Sequence, residues 1–145
     1  MFKKVLFPTD FSDASKAALE ELKKLKSSGI ESVVLIHVID QRSFQAIDNL
    51  AGMNSHTLEK DIMAQASQQM ERVEEELTAS GFEVKSLLKI GFPVREILNA
   101  EKSEDVSVTI IGSHGKSNLE EIFLGSVSEK VIRKTKKPVL VIKRQ

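Results

Sequence analysis

The chain has 145 residues, of which 21 are Lys or Arg and 21 are Asp or Glu, so its formal net charge is zero. This length suits one domain with a buried core, and the balanced charge argues against nucleic acid or an anionic membrane as the main partner. Cysteine is absent, which excludes disulfides, thiolate metal sites and cysteine nucleophiles. The apolar stretch near the start is too short for a signal peptide or a membrane span, and we expect a cytoplasmic protein.

Five short runs of β-branched and apolar residues predict β-strands. They cover residues 5–7, 33–39, 84–90, 106–111 and 139–142. Segments with helical spacing lie between several of these runs, the clearest over residues 12–28, 57–80 and 126–134. Alternation of strands and helices is typical of crossover connections, so the sequence predicts one α/β domain whose parallel sheet is covered on both faces.

Single residues mark where the predicted helices begin and end. Ser12 suits an N-cap and Pro93 a first helical position, whereas Gly29 and Gly81 suit the left-handed residue that follows a helix. Ser126 opens the spacing of a capping box, with a glutamate three residues later.

Residues 40–56 match no element well, because their apolar residues are scattered and a glycine interrupts them. The sequence predicts a flexible insertion there, either a lid or an interaction loop.

A ligand of an open parallel sheet binds beyond the carboxyl ends of the strands, so the residues that follow each strand are the candidate site. The segment after the fourth strand is the most informative. Gly112 and Gly115 allow backbone amides to approach an anion, and four further residues add donors: Ser113, Lys116, Ser117 and Asn118. Gly125 then precedes a helix N-terminus with Ser126 and Ser128, which is a second anion-binding element.

These two elements are able to bracket a polyphosphate, but a simpler interpretation has equal weight. Glycines after a strand are often turn residues only, and Ser126 then serves only as a cap. A Walker A loop is excluded, because it needs four residues between its glycines and only two separate Gly112 from Gly115. The dinucleotide fingerprint is absent after the first strand, which argues against NAD.

The spacing Gly112-x2-Gly115-x9-Gly125-Ser126 resembles the ATP-binding signature of the universal stress protein family. The resemblance spans the chain, from KKVLFPTDFS through LIHVID and GFPVREI to KKPVLVIKR, and is closest to the archaeal-type, single-domain members that bind ATP. It implies a Rossmann-like fold for adenine nucleotides, with five parallel strands in the order 3-2-1-4-5 and residues 1–145 as a single domain.

The resemblance also implies a set of site residues. Pro8, Thr9 and Asp10 would lie beside adenine, ribose or the metal, and Val38 would contact adenine through its backbone. Ribose and phosphates would be wrapped by Gly112, Ser113, His114, Gly115, Lys116, Ser117 and Asn118. The phosphate tail would be held by Gly125, Ser126, Val127 and Ser128. The expected cofactor is ATP with Mg²⁺ or Mn²⁺ bound mainly through the phosphates; no side chain is assigned as a catalytic residue or metal ligand.

Two residues in this scheme, Asp10 and His114, keep two interpretations. Asp10 is the best-placed carboxylate for Mg²⁺ but also suits a cap of the first helix. His114 is able to contact phosphate or act as an acid, or to make only a structural hydrogen bond. His37, within the second strand, is expected to be a hydrogen-bonded core histidine.

The last strand, Pro138–Ile142, is an edge strand in the implied order, and it is apolar with no charge to protect it. An unpaired apolar edge favours pairing with another chain, so we expect a homodimer through this strand, as in the family. The alternative is a strand covered by the chain's own helices.

We therefore expect an ATP-binding, dimeric stress-response protein that acts as a nucleotide-dependent switch on a protein partner. The first alternative is a slow ATPase or phosphotransferase, for which no arginine is found in the site segments. The second is a dimeric scaffold with a vestigial nucleotide site.

Overall fold

The computed structural model describes residues 2–51, 55–113 and 125–143. Its elements in chain order are β1 (Lys4–Pro8), α1 (Asp13–Lys24), β2 (Ser32–Asp40), α2 (Gln41–Ala51), α3 (Ser55–Ala79), β3 (Glu83–Gly91), α4 (Pro93–Ser103), β4 (Val108–Gly112), α5 (Ser126–Lys134) and β5 (Val139–Ile142). A short 3-10 helix, Leu25–Ser28, extends α1.

The five strands form one parallel sheet in the order β3-β2-β1-β4-β5. This confirms the predicted fold class and strand order. Val5 of β1 lies opposite Val33 of β2 on one side and Val108 of β4 on the other. These three central strands are almost wholly buried, which explains why their sequences are nearly continuous apolar runs.

Helices cover both faces of the sheet. Residues along β1 alternate between the faces: Val5 and Phe7 pack with buried residues of α1 and α3, and Leu6 packs with those of α4 and α5. Among the described residues, the α1–α3 side buries thirteen hydrophobic side chains in its cluster and the α4–α5 side buries seven. The larger core therefore lies under α1 and α3.

The predicted helix ends are confirmed at four positions. The Ser12 hydroxyl accepts a hydrogen bond from the Ser15 N–H at 3.3 Å, and Pro93 is the first residue of α4. Gly29 and Gly81 have φ values of 102° and 99°, the left-handed conformation that glycine adopts without strain.

The prediction of a capping box that begins at Ser126 is wrong. The N-cap of α5 is Gly125, so Ser126 is already the first helical residue. The Glu129 N–H donates to the Gly125 carbonyl at 2.9 Å, and no side chain caps this end. Because a hydroxyl caps a helix only from the N-cap position, Ser126 is one residue too late.

Residues 41–51, to which the sequence analysis assigned no element, form α2 directly after β2. The Asp40 carboxylate accepts a hydrogen bond from the Arg42 N–H at 3.0 Å and so fixes the start of this helix. α2 packs against α3 and β2. The predicted movement of residues 40–56 as a lid stays a prediction.

Candidate functional site

A cavity of about 140 Å³ lies where β1, β2 and β4 end, between the first turn of α1 and the helices α4 and α5. Its polar lining residues are Thr9, Asp10, Ser12, Ser15, His37 and Ser128. Its remaining lining residues are Pro8, Ala14, Ile36, Val38, Pro93, Ile97, Ile111, Gly112, Val127 and Val131. The cavity is thus mainly apolar with a few polar groups, which is the usual composition of a small-molecule site.

The cavity brings together seven of the residues named from the sequence: Pro8, Thr9, Asp10, Val38, Gly112, Val127 and Ser128. Three others lie elsewhere. Ser113 is buried, and its N–H donates to the Ile142 carbonyl at 2.9 Å. Gly125 caps α5, and Ser126 lines a neighbouring groove. The remaining five, His114, Gly115, Lys116, Ser117 and Asn118, lie outside the described residues.

The unequal lengths of β1 and β2 open one backbone edge to the cavity. β1 ends at Pro8, opposite Ile36, whereas β2 continues to Asp40. The Thr9 N–H donates to the Ile36 carbonyl at 2.9 Å, so the backbone groups of Ile36 face β1. The N–H and C=O groups of successive residues in a strand point alternately toward its two neighbouring strands. Those of Val38, two residues after Ile36, therefore face the β1 side as well. Among the described residues, no strand lies opposite Val38 on that side. The Val38 N–H and C=O are therefore one donor and one acceptor that face the cavity.

Asp10 organises the turn between β1 and α1. Its Oδ1 accepts hydrogen bonds from the Ser12 N–H at 3.0 Å and from the Ser15 hydroxyl at 2.8 Å. The Asp10 side chain is exposed at the mouth of the cavity. Ser12 is the N-cap of α1, so Asp10 holds the turn that precedes the helix and does not cap it, and the metal interpretation stays a prediction.

His37 fixes this turn from the neighbouring strand. Its Nδ1 lies 2.7 Å from the Thr9 carbonyl oxygen, and because a carbonyl only accepts, Nδ1 carries the proton. The His37 ring also packs on Phe11, with ring centroids 4.4 Å apart. Phe11 has a φ of 63°, which is uncommon for a residue with a side chain. The expected hydrogen-bonded histidine is confirmed, but sequence reasoning missed that His37 also lines the cavity.

Gly112 is required by packing. A β-carbon at this position would lie 2.4 Å from the Ala14 carbonyl oxygen, so the end of β4 touches the backbone of α1 directly. The absence of a side chain here serves close contact between strand and helix. This packing contact is a reason for the first glycine of the motif that differs from both anion approach and turn geometry.

The N-terminus of α5 supplies positive potential at the cavity. The first N–H groups of a helix have no partner within the helix, and the helix dipole adds partial positive charge at the same end. Val127 and Ser128, in the first turn, line the cavity. This end is suited to bind an anionic group.

Within residues 2–51, 55–113 and 125–143, no three His, Asp or Glu side chains are grouped so as to hold a metal ion. None of the helices in these ranges is both long enough and apolar enough to cross a membrane.

An open parallel sheet with a cavity at the carboxyl ends of its strands is the arrangement of Rossmann-like ligand-binding proteins. A model of the universal stress protein family matches residues 1–143. The chain therefore belongs to the universal stress protein family.

Relatives of known structure agree with this assignment. Universal stress protein MJ0577 of Methanocaldococcus jannaschii is 42% identical over 157 residues, which cover 100% of this chain and 97% of the relative. The solved structure of MJ0577 superposes with a TM-score of 0.83 at 43% identity, covering 100% and 98% of the two chains.

Two more distant family members share the fold and were solved with nucleotides. One is a universal stress protein in complex with cAMP, with 18% identity, a TM-score of 0.65 and coverage of 98% and 97% of the two chains. The other, from Archaeoglobus fulgidus, is in complex with dAMP, with 21% identity, a TM-score of 0.64 and coverage of 99% and 98%.

Proposed function

We propose that this universal stress protein binds ATP in the cavity at the carboxyl edge of its sheet. The observation that carries the proposal is the unpaired backbone edge of Val38, which faces a mainly apolar cavity. A purine base has flat apolar faces and a polar edge with donors and acceptors. Val38 N–H and C=O would pair with the adenine edge, and the aliphatic walls would contact its faces. The family members solved with cAMP and dAMP support an adenine nucleotide as the ligand class.

The size of the cavity supports a division of the ligand into two parts. About 140 Å³ is below the roughly 300–1,000 Å³ of a site that encloses a whole drug-sized ligand. The base would therefore occupy the cavity, and the ribose and phosphates would extend along its mouth. Thr9 and Asp10 line the cavity, and Asp10 is exposed, so these residues would contact the ribose.

The phosphates would be held by the N-terminus of α5 and by the glycine segment. Gly125, Ser126, Val127 and Ser128 form the first of these, and residues 112–118 form the second. Mg²⁺ or Mn²⁺ would bind mainly through phosphate oxygens, where it neutralises phosphate charge. Within the described residues, no cluster of protein ligands competes for that metal.

We also propose that nucleotide binding acts as a switch in a cytoplasmic homodimer that presents its surface to a stress-response partner. β5 is an edge strand, and its Leu140 is 40% exposed. Pairing of Pro138–Ile142 with the same strand of a second copy would cover this edge. Ligand binding at the start of α5 would reach the dimer contact through the short connection from α5 to β5.

A slow ATPase or phosphotransferase is the alternative, and the lining of the cavity favours binding. Phosphoryl transfer usually relies on cations placed at the transferred phosphate. The cavity lining, taken over the described residues, contains neither arginine nor lysine. A scaffold with a vestigial site is the third possibility, against which the exposed edge of Val38 argues.

The test compares two serine-to-tryptophan variants. Ser128→Trp places a large ring in the cavity, whereas Ser103→Trp places it on the exposed end of α4. Nucleotide released by denaturing freshly purified protein is identified by chromatography, and melting is measured with and without Mg-ATP. We expect intact ATP and a raised melting temperature in the parent and in Ser103→Trp, and neither in Ser128→Trp.

Other outcomes separate the alternatives. ADP as the main released species would favour hydrolysis. If the parent released no nucleotide and Mg-ATP did not raise its melting temperature, the scaffold with a vestigial site would be the remaining alternative. Equal ATP binding by both variants would mean that the cavity is not the site.

A further inference from the structure

A second concave surface, which we call the α4–α5 groove, lies beside the cavity. It holds about 470 Å³ and shares Pro93 and Val127 with the cavity lining. Its charged lining residues within the described chain are Arg42, Arg95, Lys130 and Lys134, with no Asp or Glu among them. A chain whose formal net charge is zero thus gathers positive charge at this one surface.

Three of these four cations have no carboxylate partner within the described residues. Arg42 is paired with Asp40, with Nη2 2.6 Å from Oδ2, and this contact lowers the pKa of the Asp40 carboxyl. Arg95 instead lies over the ring of Phe92, 5.2 Å from its centroid. A guanidinium on an aromatic face keeps its N–H donors at the ring's edge available for an anion.

The two lysines stand four residues apart on α5, where like charges repel and destabilise the helix. Elsewhere on α5 the same spacing is used for attraction, because Glu129 and Arg133 form an ion pair. Among the described residues, α5 therefore has one side with an ion pair and one side with two cations that no carboxylate pairs. Bound negative charge on the second side would remove the repulsion.

The groove is longer than a single phosphate group. Ser126, which lines its cavity end, and Lys134 are eight residues apart on α5, which is about 12 Å at 1.5 Å per residue. Lys130 and Lys134 stand about 6 and 12 Å from Ser126 along the helix axis, and two cations at this spacing suit a chain of negative charges. Lys130 and Lys134 also follow each other away from the N-terminus of α5, where the proposed nucleotide site ends.

We propose that the α4–α5 groove binds an oligophosphate chain, with Arg95, Lys130 and Lys134 as its cationic ligands. The chain is either the tail of a nucleotide whose base occupies the cavity, which rests on the proposed function, or a free inorganic oligophosphate. In both cases affinity rises with the number of phosphates.

The test measures binding by calorimetry at low ionic strength, with AMP, ADP, ATP, adenosine tetraphosphate and inorganic tripolyphosphate as separate ligands. The parent is compared with the double variant Lys130→Gln/Lys134→Gln. The control is Lys60→Gln/Lys102→Gln, which removes the same charge from exposed positions outside the groove.

For a nucleotide tail, we expect the groove variant to weaken ATP and adenosine tetraphosphate about three- to ten-fold and AMP less than about two-fold, as for two exposed ion pairs. The difference should shrink at high salt, because exposed charges are screened. If the groove binds free inorganic oligophosphate, tripolyphosphate should bind the parent and the control variant and bind the groove variant more weakly, whether or not any nucleotide binds.

The outcomes keep this proposal apart from the proposed function. ATP binding that is equal in all three proteins, with no tripolyphosphate binding, would overturn the groove and leave the ATP site intact. Tripolyphosphate binding lost only in the groove variant, without nucleotide binding, would support the groove and overturn the ATP site. Equal weakening in the groove and control variants would overturn the groove, since only net charge would matter.

Discussion

At the residue scale, Gly112 joins the first turn of α1 to the end of β4, where a β-carbon would lie 2.4 Å from the Ala14 carbonyl oxygen. Because the obstacle is backbone, it does not rotate away, and a substitution forces helix and strand apart. The same residue lines the cavity, so this spacing also sets the shape of the cavity wall.

We expect Gly112→Ala to lower the free energy of unfolding by about 1–3 kcal/mol, as for overpacking in a core. Urea unfolding measures the change. Gly91→Ala is the matched control: its β-carbon would meet the Glu96 side chain at 3.0 Å, and a flexible side chain moves at little cost. Equal losses in the two variants would show that close backbone contact is not the reason for glycine at position 112.

The sequence identified Gly112 as special because a glycine after a buried strand stands out in the printed sequence. It left two reasons open, anion approach and turn geometry, and the contact with Ala14 was neither. This contact joins residues far apart in the chain, and composition and spacing contain no record of such pairs.

At the element scale, the turn between β1 and α1 is held by a neighbour in the sheet. His37 of β2 bonds the Thr9 carbonyl and packs on Phe11, whose φ of 63° needs support from its surroundings. Thr9 and Asp10 reach the cavity from this turn. The position of these two residues therefore depends on β2 as well as on their own segment.

We expect His37→Leu to lower the free energy of unfolding by about 1–2 kcal/mol, since the buried Thr9 carbonyl loses its donor. ATP affinity should fall as well, because Thr9 and Asp10 lose their fixed position. His37→Asn keeps an N–H donor at the position of Nδ1 but removes the ring from Phe11, so it should recover most of the loss in unfolding free energy. Urea unfolding and calorimetric titration with Mg-ATP measure the two effects.

A different result would change the role of this residue. If His37→Leu lost stability but bound ATP as the parent does, His37 would support the fold alone. If His37→Asn were as unstable as His37→Leu, the contact with Phe11 would matter more than the hydrogen bond.

Elements were predictable from sequence where burial imposes a clear pattern. The central strands are buried on both faces, so their apolar runs marked them within one or two residues. α2 was missed because little of it is buried. Phe44 and Ile47 are half-buried and Leu50 is 88% exposed. These apolar residues do recur at helical spacing among polar ones, a pattern that the sequence analysis treated as scattered.

At the scale of the whole molecule, the sheet has two edges that differ in protection. β3 carries Lys85 and Lys89 on one edge, and lysines are a common defence against pairing with another chain. β5, Val139–Ile142, is wholly apolar on the other edge. The asymmetry favours β5 for the proposed dimer contact.

We expect Leu140→Arg to convert a dimer into monomers while ATP binding persists, because the cavity lies at the ends of other strands. Sedimentation velocity measures the mass in solution. Ile90→Arg is the matched control, since Ile90 is 49% exposed on β3 and should leave the dimer intact. A parent that sediments as a monomer, or a Leu140→Arg variant that stays dimeric, would contradict pairing through β5.

Topology was the most predictable property of the molecule. Alternating strands and helices impose a parallel sheet, and the resemblance of the whole chain to one family supplied its order, which the structure confirms. The carboxyl edge followed as the place for a ligand. The exact lining did not, because residues such as Ile97 and Val131 reach the cavity from α4 and α5, whose placement depends on packing against strands distant in the chain.

The unequal cores on the two faces have a consequence for amide hydrogen exchange. The two helices that wall both the cavity and the α4–α5 groove, α4 and α5, pack over the smaller buried cluster, so this layer should open at lower free energy than the layer of α1 and α3. In the free protein, amides of α4 and α5 would exchange sooner than those of α1 and the second half of α3. A ligand bound in the cavity or the groove would slow amide exchange chiefly in α4 and α5, the less stable layer. Both sites therefore lie where ligand binding would increase local order most.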